Sequence, residues 1–224
     1  MIPCLLWMDM RSAPQTEQVL ATGDPVLKVN SGGSGPVSAE WMVPKALWIK
    51  QNRPDVFEKA TYICEYQDYL NFKLTGRMCA SINNVSVRWH YSASGSTPEE
   101  RWPTSLLKSL DLSELLKKWP KEVLPLGERV GGLTPEAAAH LGLPPGVPVA
   151  QGGADAFIGM LGLGVTEAGQ LALITGSSHL LLGVAPSPVH GKGIFGTYVD
   201  ALLPGTHVIE GGQTSTGSIL NWFK

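Results

Sequence analysis

The sequence predicts an α/β protein, and two observations support that prediction. Apolar residues recur at helical spacing over residues 39–52 and 64–74. Further along the chain, short apolar runs at residues 170–175, 179–185 and 206–210 alternate with glycine-rich turns, which is typical of strands. With 224 residues, 43% of them hydrophobic, the chain is long enough for one sizeable core or two small domains.

The first part of the chain is predicted to contain one strand and two helices. Residues 4–8 form an apolar run that ends in a polar turn, which indicates a buried strand, and residues 17–21 look helical. A loop rich in glycine and serine is expected at residues 30–36. Ser38 has the position of an N-cap for the helix over residues 39–52.

The middle of the chain is predicted to be mostly helical. Two short helices are expected at residues 102–110 and 112–119, after a longer one that Gly76 ends. The clearest local signal is Thr134-Pro-Glu, where a threonine N-cap and a proline in the first helical position begin a helix that ends at Gly142.

Composition and charge exclude several kinds of partner. Seventeen basic and nineteen acidic side chains give a formal net charge of −2, and no long run of like charge suggests a nucleic-acid groove or a membrane patch. No apolar run reaches the roughly 18 residues of a membrane span. The five histidines lack metal-binding spacing, so no zinc site is expected.

The cysteines and the first residues favour a cytoplasmic location. Cys4, Cys64 and Cys79 are an odd and sparse set without C-x-x-C spacing, which is typical of reduced thiols in a reducing compartment. The N-terminus has neither a basic region nor a small-residue cleavage site, so it is a poor signal peptide. A targeting peptide on a longer N-terminus stays an open alternative.

The segment Gln151-Gly-Gly-Ala-Asp155 is the first candidate for chemistry. A short buried strand at residues 147–151 is predicted to run into two glycines and then into an aspartate that opens an apolar helix. Such an aspartate is exposed at the carboxyl end of a strand, where α/β sheets bind ligands. Its carboxylate could accept a proton from a substrate hydroxyl. The alternative is that Asp155 is only an N-cap.

The second candidate is the small-residue turn Thr175-Gly176-Ser177-Ser178 between two apolar strands. Backbone N–H groups in such a turn can point at phosphate oxygens. The alternative is an ordinary β-hairpin turn, which the same residues form readily. No P-loop motif occurs anywhere in the chain.

The third candidate is Glu210-Gly-Gly-Gln213, which places a carboxylate and an amide near a strand end. The two glycines would let a hydroxylated ligand approach the backbone, although a plain polar loop is the alternative. A helix is expected to begin at residue 211 and to continue to residue 224.

Asp9, Arg11 and Arg88, which stand near aromatic residues in the sequence, are weaker candidates. Asp9 and Arg11 follow an aromatic residue at the end of the first predicted strand, where an ion pair or a turn anchor is the usual explanation. Arg88 precedes Trp89, a pair that most often packs on a surface.

Six motifs follow one another in order along nearly the whole chain. They are W-x-D-x-R, P-K-x-L-W, an Asp-Tyr-Leu helix that ends in Leu-Thr-Gly, G-G-x-D, T-G-S-S and E-G-G-Q. Pro44-Lys45-Ala-Leu-Trp48 matches closely, though not at every position, the first signature region of one family. Together these motifs resemble the FGGY carbohydrate kinases, and Glu210 to Gln213 with Arg88-Trp89 are most similar to the ribulokinase-like, pentulose-using branch.

The resemblance implies an actin-like, ribonuclease H-like ATPase fold with an incomplete first domain and the start of a second. It implies ATP-dependent phosphorylation of a sugar hydroxyl, with ATP and Mg²⁺ as cofactors and a pentulose such as D-ribulose as substrate. Asp155 matches the general base, which contacts the substrate hydroxyl and could also contact Mg²⁺. Thr175, Gly176, Ser177 and Ser178 match the second phosphate-binding loop.

The resemblance also implies a sugar-binding side. Glu210 matches a sugar-binding glutamate of the ribulokinases, and Gln213 is assigned to the sugar with it. Arg88 stands where ribulokinases carry a sugar-binding lysine, so the charge is kept while its geometry changes. Asp9 and Arg11 are expected near the substrate.

Members of this family are longer at both ends, and their Asp-x-Gly-Thr phosphate loop has no counterpart here. Residues 1–183 are predicted to be an incomplete N-terminal sugar-binding and catalytic domain. Residues 184–224 would end that domain and start a truncated C-terminal nucleotide-binding domain. The chain alone is therefore expected to have little kinase activity.

The alternative is a catalytically inactive truncated isoform that at most binds sugar or a full-length partner, and the full-length form could be a homo-oligomer. Xylulose and other ketoses or polyols stay open as substrates behind ribulose.

Overall fold

The computed structural model describes residues 4–31, 37–213 and 215–224, and it confirms the predicted mixture of helices and strands. Over these residues the helices are α1 (Ala13–Ala21), a short 3₁₀ helix (Pro25–Lys28), α2 (Met42–Asn52), α3 (Pro54–Lys59), α4 (Tyr66–Thr75), α5 (Ile82–Arg88), α6 (Pro98–Arg101), α7 (Thr104–Ser109), α8 (Leu115–Lys118), α9 (Pro135–Leu141), α10 (Asp155–Gly162) and α11 (Gly217–Phe223). The strands are β1 (Ala80–Ser81), β2 (Val123–Leu124), β3 (Arg129–Gly132), β4 (Pro148–Ala150), β5 (Leu171–Thr175), β6 (His179–Ala185), β7 (Gly196–Val199) and β8 (His207–Gln213).

The strands form two small pairs and one larger sheet. Strands β1 and β2 pair in parallel, whereas β3 and β4 pair antiparallel. The larger sheet is antiparallel and has the order β5-β6-β8-β7. Glu210 on β8 pairs with Leu182 on one side and with Gly196 on the other, so its backbone lies inside the sheet.

Two main hydrophobic cores hold these elements together. The first contains the helices of the N-terminal half, where the rings of Trp89 and Trp119 stack with centroids 4.9 Å apart. The second lies between α10 and the larger sheet, and its buried members include Phe157, Met160, Leu182, Tyr198 and Val208. Because α10 is part of this second core, its first residue is carried by a well-packed helix.

The helix ends that carry strong local signals are confirmed. Helix α4 is followed by Gly76 in the left-handed region at φ 75°. At the start of α9, the Thr134 hydroxyl accepts a hydrogen bond from the Ala137 N–H at 3.1 Å, and Gly142 closes the helix at φ 69°. These caps satisfy backbone groups that a helix end leaves free, so they can be predicted from a few neighbouring residues.

The predicted elements at the beginning of the chain need correction. Residues 4–8 form coil and a turn instead of a strand, and Leu6, Trp7 and Met8 are exposed. An apolar run becomes a strand only if another strand pairs with it, and none does so here among the described residues. Helix α2 begins at Met42 after Trp41, while the Ser38 hydroxyl accepts from the Glu40 N–H in a preceding turn. Within the predicted loop, residues 32–36 lie outside the described residues.

Two predictions in the C-terminal half need correction, one in the burial of a strand and one in the start of a helix. The predicted strand at 147–151 is the short strand β4, whose Pro148 and Ala150 are exposed because it pairs with β3 alone. The helix expected from residue 211 begins instead at Gly217. Residues 211–213 continue β8, because β6 offers them hydrogen-bonding partners at residues 179–181.

The predicted domain boundary between residues 183 and 184 falls inside β6. That strand pairs with β5 and β8 over both sides of the boundary. The division into residues 1–183 and 184–224 stays a prediction.

Asp68, in the first turn of α4, is completely buried. Its Oδ2 accepts a hydrogen bond from the Glu65 N–H at 3.1 Å. Burial, and after it the charge of Glu65, raises the pKa of Asp68 from its ordinary 3.8 to about 8. The folded protein therefore keeps this proton over a pH range in which the unfolded chain has lost it.

The raised pKa of Asp68 predicts a pH-dependent stability. Its contribution to the free energy of unfolding is fully present below the unfolded pKa and is lost as the pH rises through the folded pKa, between about 4 and 8. We expect Asp68→Asn, which cannot ionise, to flatten this decline in urea unfolding measured across that range. Asp55→Asn is the control, because Asp55 is exposed on α3 and its pKa is lowered by Arg53. An unchanged slope in Asp68→Asn would contradict the prediction.

Candidate functional site

A buried asparagine fixes the segment that leads into α10. The Ala154 N–H donates to Asn83 Oδ1 at 2.9 Å, and Asn83 Nδ2 donates to the Ala201 carbonyl oxygen at 2.9 Å. Asn83 belongs to α5 and is completely buried. A Cβ on Gly153 would lie 2.8 Å from Asn83 Oδ1, closer than side-chain carbons come, so this position requires glycine. The start of α10 is therefore held from two other parts of the chain.

Asp155 is the first residue of α10, and its side chain is exposed. The N-cap is Ala154, so the interpretation of Asp155 as the N-cap does not describe this helix. Asp155 Oδ1 accepts a hydrogen bond from the Ala156 N–H at 2.8 Å, whereas Oδ2 has no hydrogen-bond partner within the described ranges. One carboxylate oxygen is thus oriented and the other is available to a substrate.

Thr175, the last residue of β5, and Gly176 to Ser178 form the turn that leads into β6. Thr175 pairs with His179, and the Gly176 N–H donates to the Ser178 carbonyl oxygen at 2.9 Å. The turn is a β-hairpin, as the alternative interpretation expected, and Thr175, Gly176 and Ser177 are exposed. A hairpin and a ligand-binding loop are compatible, because the side-chain hydroxyls of this turn make no hydrogen bond to any described residue.

Helix α10 brings Asp155 and this turn into the same region. A Cβ on Gly159 would lie 3.5 Å from Ile174 Cδ1, so β5 packs one helical turn away from Asp155. The turn begins at Thr175, directly after Ile174. On its other side, the Thr216 N–H, just before α11, donates to the Ser177 carbonyl oxygen at 3.0 Å.

Glu210 is a buried carboxylate with a defined partner. The Tyr198 hydroxyl donates to Glu210 Oε2 at 2.6 Å, and both side chains are buried. Burial raises the pKa of Glu210, while the Tyr198 hydrogen bond and then the charge of Arg88 act against that rise. Glu210 and Arg88, which the resemblance assigns to the sugar, are thus electrostatic neighbours.

Asp9 and Arg11 form the ion pair that the sequence allowed. Arg11 Nε donates to Asp9 Oδ1 at 3.0 Å and Arg11 Nη2 donates to Oδ2 at 2.6 Å. The hydrogen bond from Arg11 lowers the pKa of Asp9 to about 2. The guanidinium also lies over the Trp48 ring, 4.4 Å from its centroid. Both oxygens of Asp9 are therefore already engaged within the chain.

Arg88 interacts electrostatically with Lys45 as well as with Glu210. Lys45, a buried residue of α2, donates from Nζ to the carbonyl oxygens of Leu6 at 2.8 Å and Asp9 at 2.9 Å. Burial lowers the pKa of Lys45, and the charge of Arg88 lowers it further while Asp9 raises it. Among the described residues, Arg88 makes no hydrogen bond or ion pair, so its guanidinium is available to a ligand.

Gln213 does not share the sheet face of Glu210. It ends β8, is exposed, and pairs with His179 next to the 175–178 turn. It stands three positions after Glu210, so strand alternation directs the two side chains to opposite faces of the sheet. The assignment of Gln213 to the sugar stays a prediction.

The residues present fit a nucleotide phosphate and Mg²⁺. The free hydroxyls of Thr175, Ser177 and Ser178 match the hydrogen-bonding needs of phosphate oxygens. In the part of the chain that the structure describes, no group of three or more His, Cys, Asp or Glu side chains could hold a metal ion. Asp155 offers one oxygen ligand, which suits Mg²⁺ bound largely through phosphates and water.

No role is predicted from the sequence for three residues whose contacts hold parts of the site. Asn83 and Tyr198 lie in segments without a sequence signal, and Lys45 appears only as part of P-K-x-L-W. Their roles come from contacts with distant residues: Asn83 reaches Ala154 and Ala201, and Lys45 reaches the backbone beside Asp9. Gly153 is the one local sequence sign of these contacts, because a side chain there would collide with Asn83.

The family model for the N-terminal domain of the FGGY family of carbohydrate kinases matches residues 1–162 of the chain. The chain belongs to the FGGY family of carbohydrate kinases. It is 33% identical over 236 residues to the human "FGGY carbohydrate kinase domain-containing protein", covering 97% of this chain and 41% of that protein. It is 34% identical over 192 residues to a ribulokinase of Geobacillus thermodenitrificans, covering 84% of this chain and 33% of that protein.

A solved FGGY kinase has the same fold. The crystal structure of a "xyloylose kinase" from Brucella ovis matches 99% of this chain and 44% of its own, with a TM-score of 0.81 and 27% identity. The chain therefore has part of the actin-like, ribonuclease H-like ATPase fold of the FGGY kinases. It spans about two fifths or less of the length of the curated relatives named above. No helix within residues 4–31, 37–213 and 215–224 is long and apolar enough to cross a membrane.

Proposed function

We propose that the protein phosphorylates a sugar hydroxyl with ATP, and that the sugar is a pentulose such as D-ribulose. The observation that carries the proposal is the exposed Asp155 carboxylate: its Oδ2 has no partner among the described residues, and its helix packs against Ile174, next to the hydroxyl-lined turn at residues 175–178. A base beside a phosphate-binding turn is the arrangement that phosphoryl transfer to a hydroxyl requires. Membership of a carbohydrate kinase family supports the reaction type.

In the proposed reaction, Asp155 takes the proton of the attacking sugar hydroxyl. The hydrogen bond from the Ala156 N–H to Oδ1 holds the carboxylate at the helix start, and Oδ2 is left to receive the proton. The hydroxyls of Thr175, Ser177 and Ser178 bind phosphate oxygens of ATP. Bound Mg²⁺ would neutralise charge on those phosphates.

Arg88 and Glu210 are proposed to bind the sugar. Arg88 has no partner among the described residues, and a guanidinium can donate two hydrogen bonds to neighbouring sugar oxygens. Glu210 contributes a carboxylate oxygen that accepts from a sugar hydroxyl. Asp9 and Arg11 are proposed to border the substrate as an ion pair, and Gln213 to reach it from the end of β8. The identity to a ribulokinase supports a pentulose substrate.

The compartment proposed for this reaction is the cytoplasm. Cys4, Cys64 and Cys79 are all free thiols, which is typical of proteins in a reducing environment.

A coupled ADP-release assay with MgATP and a panel of pentuloses tests the proposal. Turnover by this chain alone is expected to be low, and we expect it to be higher with D-ribulose than with xylulose or with ATP alone. Calorimetric titration with each sugar is made in parallel, so that binding is measured separately from turnover. Binding of D-ribulose without ADP release would favour the catalytically inactive, sugar-binding alternative. If the protein neither bound nor phosphorylated any pentulose, the proposal would be refuted.

A further inference from the structure

We propose that Tyr198 positions Glu210 for the sugar: it holds one carboxylate oxygen and leaves the other as the single oxygen presented to a sugar hydroxyl. This inference rests on the proposed function and concerns the same site. Neither the sequence motifs nor the resemblance assigns a role to Tyr198.

The hydrogen bond between the two residues is short and protected from water. The Tyr198 hydroxyl lies 2.6 Å from Glu210 Oε2, and both side chains are buried. Oε1 of Glu210 has no hydrogen-bond partner within the described ranges. The carboxylate therefore has one oxygen fixed by the protein and one free.

The sheet register explains how the tyrosine reaches the glutamate. Tyr198 pairs with Val208, and Gly196 pairs with Glu210. Residues two apart on a strand share a face, so the Tyr198 ring extends over Gly196 towards Glu210. A Cβ on Gly196 would lie 2.7 Å from Tyr198 Cε2 and would overlap the hydroxyl, so the missing side chain provides the space for the ring.

The ring is also held from the helix side. Phe157 of α10 meets Tyr198 edge to face, with ring centroids 6.0 Å apart and an interplanar angle of 62°. Phe157 is two residues after the proposed base Asp155. Gly196 below the ring and Phe157 beside it leave the hydroxyl little freedom, so it can orient Glu210 before any sugar binds.

Tyr198 also influences the pKa of Glu210, together with the charges around that carboxylate. Tyr198 from β7 and Arg88 from α5 stabilise the ionised carboxylate, while burial and the charge of Glu40, just before α2, oppose ionisation. Removal of the Tyr198 hydroxyl is therefore expected to raise the pKa of Glu210. A protonated Glu210 loses its negative charge, so sugar affinity should begin to fall at a higher pH.

The test is the affinity of the protein for D-ribulose, measured by calorimetry across pH 5 to 8. Tyr198→Phe keeps the ring and its packing, and we expect it to bind D-ribulose about tenfold more weakly at neutral pH, as for loss of a hydrogen bond to a charged group. Its decline in affinity on acidification should begin at a higher pH than in the parent. Tyr91→Phe is the control, because Tyr91 is buried in the first core and its hydroxyl bonds to no described residue.

A double-mutant cycle separates positioning from a purely structural role. If Tyr198 acts through Glu210, the effect of Tyr198→Phe disappears in a Glu210→Gln background. Unchanged affinity and pH dependence in Tyr198→Phe, or an equal loss in the Glu210→Gln background, would overturn the inference while leaving the proposed function standing. A parent protein that binds no pentulose would overturn both.

Discussion

Replacing Asp155 with asparagine is expected to lower kcat for sugar phosphorylation by roughly 10³-fold, within the range that general-base catalysis contributes. Asparagine has nearly the same shape and can still accept the hydrogen bond from the Ala156 N–H. It cannot accept the proton of the attacking hydroxyl. Because the groups proposed to bind the sugar are unchanged, KM for the pentulose should change little, and the loss should be found almost entirely in kcat.

Asp55→Asn is the matched control for this prediction. Asp55 is also an exposed aspartate in the first turn of a helix, and its partner is Arg53 on the surface. We expect its kcat to equal that of the parent in the same ADP-release assay. If the Asp155→Asn variant retained a tenth or more of the parental kcat, Asp155 would not be the base.

The second large effect is expected at Asn83. Asn83→Leu keeps the number and branching of the side-chain heavy atoms but leaves the Ala154 N–H and the Ala201 carbonyl without their partner. Leaving two such groups unsatisfied should lower the free energy of unfolding by about 2–5 kcal/mol. The start of α10 should also become less well positioned, so kcat should fall in addition to stability. Urea unfolding and ADP release measure the two effects separately.

Two further variants control for the change at Asn83. Asn83→Asp keeps the acceptor for the Ala154 N–H but buries a carboxylate beside the Ala201 carbonyl oxygen, so it should also be destabilised, and its stability should recover at low pH, where the protonated carboxyl can donate to Ala201. Asn52→Leu alters an exposed asparagine that bonds only to its own helix, at Trp48, and should change stability by less than about 0.5 kcal/mol. Equal stability of Asn83→Leu and the parent would contradict the prediction.

The parts of the fold that could be predicted from the sequence are those whose causes are local. Thr134 and Gly142 define a helix because the groups they satisfy lie within a few residues of them. Strands depend on a partner elsewhere in the chain. The apolar run at residues 4–8 lacks such a partner among the described residues, and residues 211–213 gain one from β6, so both were predicted wrongly.

The residues of the candidate site also divide into those with a local sequence signal and those whose role depends on distant contacts. Asp155 and the turn at residues 175–178 stand out because a glycine-rich segment changes the character of the sequence around them. Asn83 does not stand out, because its two hydrogen-bond partners lie 71 and 118 residues away. Tyr198 reaches Glu210 over 12 residues, yet only the register of β7 and β8 reveals that Gly196 leaves room for its ring.

The position of α10 has a consequence for the way ligands affect each other. Phe157 of this helix contacts Tyr198, which holds Glu210. One helical turn after Asp155, Gly159 contacts Ile174, which precedes the hairpin turn at residues 175–178. A displacement of this single helix therefore alters the proposed sugar side and the proposed phosphate side together. Binding at either side that shifts α10 changes affinity at the other, and by thermodynamic reciprocity the factor is the same in both directions.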